Sequence, residues 1–371
     1  MTVDYKMKKS ILVLTNNIGG LFSFRKEVMK AIIDEGFSLY ISEPDDNEKA
    51  KYFESIGCKI IKTKFERRGM NPLADFFLMI RYIKLIHKIK PQAVLTYTIK
   101  PNVYGGLACR IMGYPQLANI TGLGDAIENG GWLQKLTIGL YRLGLSKAYR
   151  VFFQNEYNRN FCVKSGITSN DSIILPGSGV NLEHHKLQPY PSNNIPIKFL
   201  FIARLLKDKG TEEFFEMATI IKKRFPTTEF HILGNCEGDY KQRLEDLVKE
   251  DIIIYHGRTI DVRPYFNDIH CTILPSYHEG MSNVNLESAA NGRPVITTNV
   301  PGCKETVDDG ITGFLTKPKN AEDLTLKVEE FINLPYEKKK AMGLAARNKV
   351  EKEFDRNIVI KAYMDEINSM K

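Results

Sequence analysis

The six cysteines of this 371-residue chain stand far apart, at 58, 109, 162, 236, 271 and 303, with no CxxC pair and no Cys/His cluster of zinc spacing. That scatter fits a reducing compartment better than a disulfide scaffold. Long apolar runs are missing too: none approaches the ~18 residues that a bilayer-spanning helix needs. Near the N-terminus Lys6, Lys8 and Lys9 precede the apolar run at 11–14, but Thr15-Asn16-Asn17 cuts it far short of a signal-peptide core. The run reads as a first buried strand. The chain has no Walker lysine motif, and the sequence from Gly19 to Phe24 lacks full GxGxxG spacing, which counts against P-loop chemistry and hydride transfer. It has no low-complexity tract and no recognised nucleic-acid module, so nucleic-acid binding would have only net charge behind it. His87, His184, His185, His231, His270 and His278 form no local metal-binding pattern and read as structural or surface residues.

What is present points to two cores. The length and a 43% hydrophobic content can fill more than one domain. A net charge of +8 suits nucleic acid, an anionic membrane or a phosphate-bearing substrate, and does not choose among them. Short β-rich runs (ILVLT, FSLYIS, CKIIKT, AVLTYT, QLANIT, RVFFQN) alternate with helical patterns up to residue 155. After the prolines at 189, 191 and 196 the alternation restarts with IKFLFIAR, EFHILG, IIIYHG, CTILPS and PVITTN. Such alternation predicts parallel sheets covered by helices, an α/β class with two doubly wound domains. The segment 185–196 is the expected linker, giving domains at 1–188 and 189–350 and a closing helical segment at 351–371. Ligands of such sheets bind beyond the carboxyl ends of the strands.

Three strand-end segments carry chemistry. Gly19-Gly20, between the first strand and a helix expected near 22–25, either admits an anion to a helix N-terminus or makes a tight ligand-free turn. Arg204, followed by Lys207 and Lys209-Gly210, either neutralises a diphosphate or forms a solvated basic loop. In the run from Tyr277 to Glu287, Gly280 permits an unusual turn and Ser282 or Asn283 can cap a helix whose first turns hold Glu287. Glu279 and Glu287 either accept hydrogen bonds from two sugars or are solvated acids at a helix start.

The Glu279-x7-Glu287 spacing, Arg204 with Lys209-Gly210, Gly19-Gly20 and the Pro-Gly-x-x-Glu run at 301–305 together resemble glycosyltransferase family 4, the retaining family of GT-B fold. The resemblance spans nearly the whole chain. It implies two Rossmann-like domains facing across a cleft and a C-terminal helix closing back toward the N-domain. It implies that Glu279 contacts donor-sugar hydroxyls, that Glu287 binds the nucleotide ribose, and that Arg204 and Lys209 hold the leaving diphosphate. The backbone from Gly280 through Met281 and Ser282 to Asn283 would orient sugar and phosphate. His256-Gly257-Arg258 resembles the segment lying against the base. No DxD motif is present, and neither a metal nor another cofactor is expected.

The segments at 65–72, 100–105 and 119–124 are similar to those of bacterial enzymes that build capsule, O-antigen or other glycans on an undecaprenyl diphosphate carrier. The expected partners are therefore a nucleotide-sugar, UDP-linked by analogy, and a lipid-diphosphate-linked acceptor near Lys100, Asn102 and Thr121. One departure stands out: many relatives carry a histidine near the end of the fourth strand, where this chain reads Tyr97-Thr98-Ile99-Lys100. That leaves Lys100 or the donor's own phosphate to help there. The helical run at 73–90, with Arg81, Lys84, Lys88 and Lys90, reads either as a core helix with a basic face or as a contact with an anionic membrane. The expected location is cytoplasmic, at or near the inner face of the membrane. A sugar-nucleotide epimerase or a non-catalytic partner of the same fold are the competing readings.

Overall fold

The computed structural model describes residues 9–44, 48–65, 71–123, 131–169, 171–236 and 238–370. Lys6, Lys8, the residues 66–70 of the first acceptor-side segment, and Gly124 lie outside them. The chain divides into two units, one formed by Met1–Ser178 with Asn357–Lys371, the other by Gly179–Arg356.

Unit 1 is built on seven parallel strands: β1 (Ser10–Leu14), β2 (Ser38–Glu43), β3 (Lys59–Lys62), β4 (Ala93–Tyr97), β5 (Gln116–Ile120), β6 (Arg150–Phe153) and β7 (Ile173–Ile174). They lie in the order β3-β2-β1-β4-β5-β6-β7. Strands β1, β4 and β5 are buried throughout, which is why they read as continuous apolar runs rather than alternating ones. The helices are α1 (Ile18–Asp34), α2 (Glu48–Ser55), α3 (Pro72–Ile89), α4 (Gly106–Met112), α5 (Gly131–Leu145) and α6 (Glu156–Lys164). The strand order reverses between β1 and β4, so the loops after these two strands flank the crevice at the sheet's carboxyl edge.

Unit 2 repeats the plan with β8 (Lys198–Ile202), β9 (Glu229–Leu233), β10 (Ile254–Tyr255), β11 (Cys271–Leu274), β12 (Val295–Thr298) and β13 (Gly313–Thr316), ordered β10-β9-β8-β11-β12-β13. Around them pack α7 (Thr211–Arg224), α8 (Lys241–Lys249), α9 (Asn283–Ala290), α10 (Ala321–Asn333) and α11 (Tyr336–Glu353). Its core is aromatic: Phe199 stacks on Phe230 at 5.3 Å, with Phe201, Phe214 and Phe331 around them. Here the order reverses between β8 and β11.

The boundary falls at 178/179, ten residues before the expected one at 188/189, because the segment after Gly179 is pinned into unit 2. Val180 bridges to Asp355. Arg347 donates to the carbonyl of His185 at 2.7 Å. The fully buried Arg293 donates to the carbonyls of Pro189 and Phe266, each at 2.8 Å. The expected linker is therefore part of a domain surface. The return crossing also differs from the expected 351: the chain leaves unit 2 after Arg356, whose guanidinium donates to Gly179 O at 3.0 Å. The last helix, α12 (Arg356–Ser369), then joins unit 1. Tyr363 stacks on Phe152 at 4.6 Å, and Gln92 donates to the carbonyls of Ile367 and Met370. Val359, Tyr363 and Ile367 are buried, whereas Ile358 stays exposed and Phe354 belongs to the core of unit 2.

Candidate active site

The switch point of unit 2 is formed by the loops that follow β8 and β11. The first runs through Arg204 to a short helical turn at Lys207–Lys209 and ends at Gly210, which is left-handed at φ +71°. A Cβ at Gly210 would lie 2.1 Å from Pro275 O, so glycine lets the two loops touch. They are joined where Tyr277 N donates to Asp208 O at 2.8 Å and Ser276 Oγ stands 3.1 Å from the same carbonyl oxygen.

Lys209 Nζ lies 2.7 Å from Glu279 Oε1, and Ser276 Oγ stands 3.0 Å from the same oxygen, its single proton able to serve either this carboxylate or Asp208 O. Both members of the ion pair are partly buried. A third loop, after β12, holds Glu279 from behind. Glu279 N donates to Pro301 O and Ser282 N to Gly302 O. Gly302 has φ +82°, and a Cβ there would sit 2.2 Å from Glu279 O. Glu305 accepts from Gly302 N at 2.8 Å. The Pro-Gly-x-x-Glu run thus acquires a physical role as the buttress of the Glu279 loop.

Ser282 caps α9 by accepting from Asn285 N, so Gly280, Met281 and Ser282 lead directly into that helix and Asn283 opens it. Glu287 lies one turn further on, partly buried. Burial pushes its carboxyl up to about 7, aided by Asp261 and opposed by Arg356. Arg204 is exposed and lines a cavity of about 510 Å³ together with Arg258, Gly234, Asn235 and the apolar Ile202, Leu233, Val262 and Val284. Two guanidinium groups beside an apolar floor suit a ring carrying anionic groups. Gly257 is left-handed, and its carbonyl accepts from Gly234 N at 2.9 Å. His256 does not line this cavity. Its ring stacks on His231, with Nε2 2.9 Å from His231 Nδ1.

The unit 1 candidates divide differently. Helix α1 begins at Ile18, earlier than expected, which places Gly19 and Gly20 in its first turn, where Asn17 Oδ1 already accepts from Gly20 N at 3.0 Å. Lys100 is no open cation: its Nζ lies 2.7 Å from Asp75 Oδ1 in a nearly buried pair, and Tyr104 OH donates to Asp75 Oδ2 at 3.0 Å. Asn102 is 1% exposed. It accepts from Thr96 Oγ1 at 2.7 Å and donates to Asn119 O at 2.8 Å, bonds that shape the turn after β4. Thr121 is exposed just beyond β5. Ile99, where the histidine was expected, is 42% exposed. It follows Thr98, a β-branched residue held at φ +74°, an unfavourable conformation of the kind that gathers at functional sites.

Sequence reading missed Ser276, which is fully buried and ties Glu279 to the basic loop, and Asp75, which neutralises Lys100. A serine closing the apolar run CTILPS was the available signal for the first. Nothing local marked the second.

This architecture and site define a class. Residues 12–155 match the model of glycosyl transferase 4-like domains, and residues 185–349 match that of glycosyl transferases group 1. The chain belongs to these glycosyltransferases. Over 93% of its length it is 27% identical to the N,N'-diacetylbacillosaminyl-diphospho-undecaprenol alpha-1,3-N-acetylgalactosaminyltransferase of Campylobacter jejuni, covering 94% of that protein. Over 91% it is 24% identical to the capsular polysaccharide biosynthesis glycosyltransferase CapM of Staphylococcus aureus, covering 90% of it. In fold it matches a glycosyltransferase of Rickettsia africae (TM-score 0.78, 19% identity, 98% of this chain and 99% of that one). It likewise matches Anabaena HepE in complex with UDP and glucose (TM-score 0.79, 16% identity, 97% and 100%).

Proposed function

We propose that the protein transfers a hexose or N-acetylhexosamine from a UDP-sugar to a sugar on a lipid diphosphate carrier, in the assembly of a bacterial surface polysaccharide. One observation carries the reading: the switch point of unit 2 gathers Arg204, Lys209, Glu279 and Glu287 on the loops and helix that follow β8 and β11. Arg204 and Lys209 provide positive charge where a diphosphate leaves. Glu279 accepts from sugar hydroxyls and Glu287 from the ribose. The Campylobacter relative's name, which specifies a diphospho-undecaprenol acceptor, supports the lipid carrier. The six free cysteines, five of them buried, suit a reducing compartment, where the enzyme would meet its donor on the cytoplasmic side.

In the proposed reaction the bond between the sugar's anomeric carbon and the β-phosphate oxygen breaks while the acceptor hydroxyl oxygen bonds to that carbon on the same face. The hydroxyl proton passes to the departing phosphate oxygen. No protein nucleophile takes part, and the cationic loop supplies the charge stabilisation without a metal. The test is a screen of UDP-, GDP- and dTDP-sugars with a short lipid-diphosphate-sugar acceptor in the presence of chelator, read by product mass and anomeric configuration. Transfer from a UDP-sugar with retained configuration is expected. An inverted product, loss of transfer on chelation, or epimerisation of the donor without acceptor would each overturn part of the reading.

A further inference from the structure

Helix α3 buries one face and leaves an unusual one open. Asp75, Leu78, Tyr82 and Ile86, spaced three and four apart, point into unit 1. On the opposite side Leu73, Phe76 and Phe77 are 71%, 52% and 57% exposed within the first two turns. Further along that side Lys84, His87 and Lys88 are exposed. The sole acid of the helix, Asp75, is turned inward and neutralised by Lys100. The outward face therefore runs from apolar at the N-terminal end to cationic at the C-terminal end, with no negative charge between.

We propose that α3 docks on an anionic lipid bilayer with its axis tilted, Leu73, Phe76 and Phe77 entering the acyl boundary while Lys84 and Lys88 remain among the headgroups. The order of chemistry along the helix matches the order met on leaving a bilayer, apolar chains first and anionic headgroups next. Phe76 and Lys88 are separated by about 18 Å along the axis, so a tilted helix can sink one end by the ~5–10 Å typical of interfacial helices while the other stays at the surface. A protein groove would match the apolar end but would need acids placed one helix length away. The N-terminal end is stiff enough to act as a wedge: Pro72 opens the helix, Asn71 caps both Leu73 N and Ala74 N, and Phe76 packs edge-on against Phe77.

Docking in this way would do more than tether the chain. Asp75, in the same turn as the wedge, accepts from Lys100 Nζ and Tyr104 OH in the turn that follows β4. The height of that turn above the membrane is thereby fixed by the helix. The inference rests on the lipid-linked acceptor for its purpose, but its test needs no transfer.

The full-length protein is sedimented with vesicles of equal phosphatidylglycerol and phosphatidylcholine, and with phosphatidylcholine alone. Binding to the anionic vesicles is expected, falling on the order of tenfold in Lys84→Glu with Lys88→Glu. A comparable fall is expected in Leu73→Ser with Phe76→Ser and Phe77→Ser, with the melting temperature and UDP affinity of each variant unchanged. As a second readout, Phe77→Trp in a Trp132→Phe background carries a single indole. Its emission should shift to the blue on anionic vesicles. The proposal fails if the wild type ignores anionic vesicles, if the serine variant binds them like wild type so that charge alone adsorbs the protein, or if the emission of the introduced indole does not move. UDP binding is scored separately: its absence in a protein that docks would sink the transferase reading and leave the docking surface standing.

Discussion

Lys209 and Glu279 neutralise each other at 2.7 Å in the free protein, although the proposed reaction needs one for the diphosphate and the other for the sugar. A donor must therefore exchange this ion pair for one between Lys209 and the diphosphate and for hydrogen bonds from sugar hydroxyls to Glu279. UDP without sugar would draw Lys209 away and give Glu279 no sugar hydroxyl in exchange. It follows that Glu279→Gln should bind UDP more tightly than wild type, by about fivefold for a partly buried pair worth ~1 kcal/mol. The same variant should lose discrimination between UDP and UDP-sugar, and most of its turnover. Calorimetry with both ligands checks this, and weaker UDP binding in the variant would refute it. Glu287 gives a second, pH-resolved expectation. Its carboxyl is raised from the ordinary 4.5 to about 7. Between these values the folded protein keeps a proton that the unfolded chain has released, so stability falls as pH rises from about 4.5 to about 7 and stays reduced above. Glu287→Gln should leave stability unchanged near pH 4 and raise it by about 1–2 kcal/mol at pH 8, allowing for partial exposure. UDP affinity should rise through pH 7 more steeply in wild type, as the carboxylate that accepts from ribose forms, than in the variant, where only the terminal phosphate of UDP titrates, with a second ionisation at ~6. Melting curves and titrations across pH separate the two effects.

At the scale of elements, the site rests on glycines that allow loops to touch. Replacing Gly302 by alanine forces a Cβ to 2.2 Å from Glu279 O at a backbone φ of +82°. The Glu279 loop must move. Gly302→Ala is expected to lower stability by about 1–3 kcal/mol and to reduce turnover far more than UDP affinity, because the cavity lined by Arg204 and Arg258 does not include Gly302. Equal losses in both would count against the buttress. The strands and their loops were legible in the sequence because each buried parallel strand prints an apolar run and each strand end a break, as in CTILPS before Tyr277. The positions of Arg204, Lys209, Glu279 and Glu287 followed from that alternation. The partners of Lys100 and Asn102, Asp75 and Thr96 with Asn119, were not legible because they come from other elements, and a largely buried, paired lysine looks like an exposed one in a string of letters. The start of α1 was placed late because Gly-Gly ordinarily opposes a helix, whereas the Asn17 cap supports it here.

The chain crosses between its units twice, after Ser178 and after Arg356, and this decides which fragments can stand alone. Prolines at 189, 191 and 196 suggested a cut near 188, but Arg293, Arg347 and Arg356 bind backbone carbonyls from 179 to 189 into unit 2, a long-range pattern with no local sequence signature. A fragment spanning 179–356 keeps the whole aromatic core of unit 2 and every one of these bonds. It should fold cooperatively and bind UDP. A fragment ending at 188 lacks α12, so Phe152 loses the ring stacked on it and Arg25, buried beneath Tyr363, loses a hydrogen-bond partner at 3.2 Å. Removing Val359, Tyr363 and Ile367 together uncovers more core than a marginally stable domain tolerates, at roughly 2–5 kcal/mol for each large buried side chain. Residues 1–188 should therefore be unfolded or molten, and adding a peptide of residues 357–371 in trans should restore cooperative melting. If 1–188 melts cooperatively without that peptide, α12 is an accessory to unit 1 and not one of its structural members.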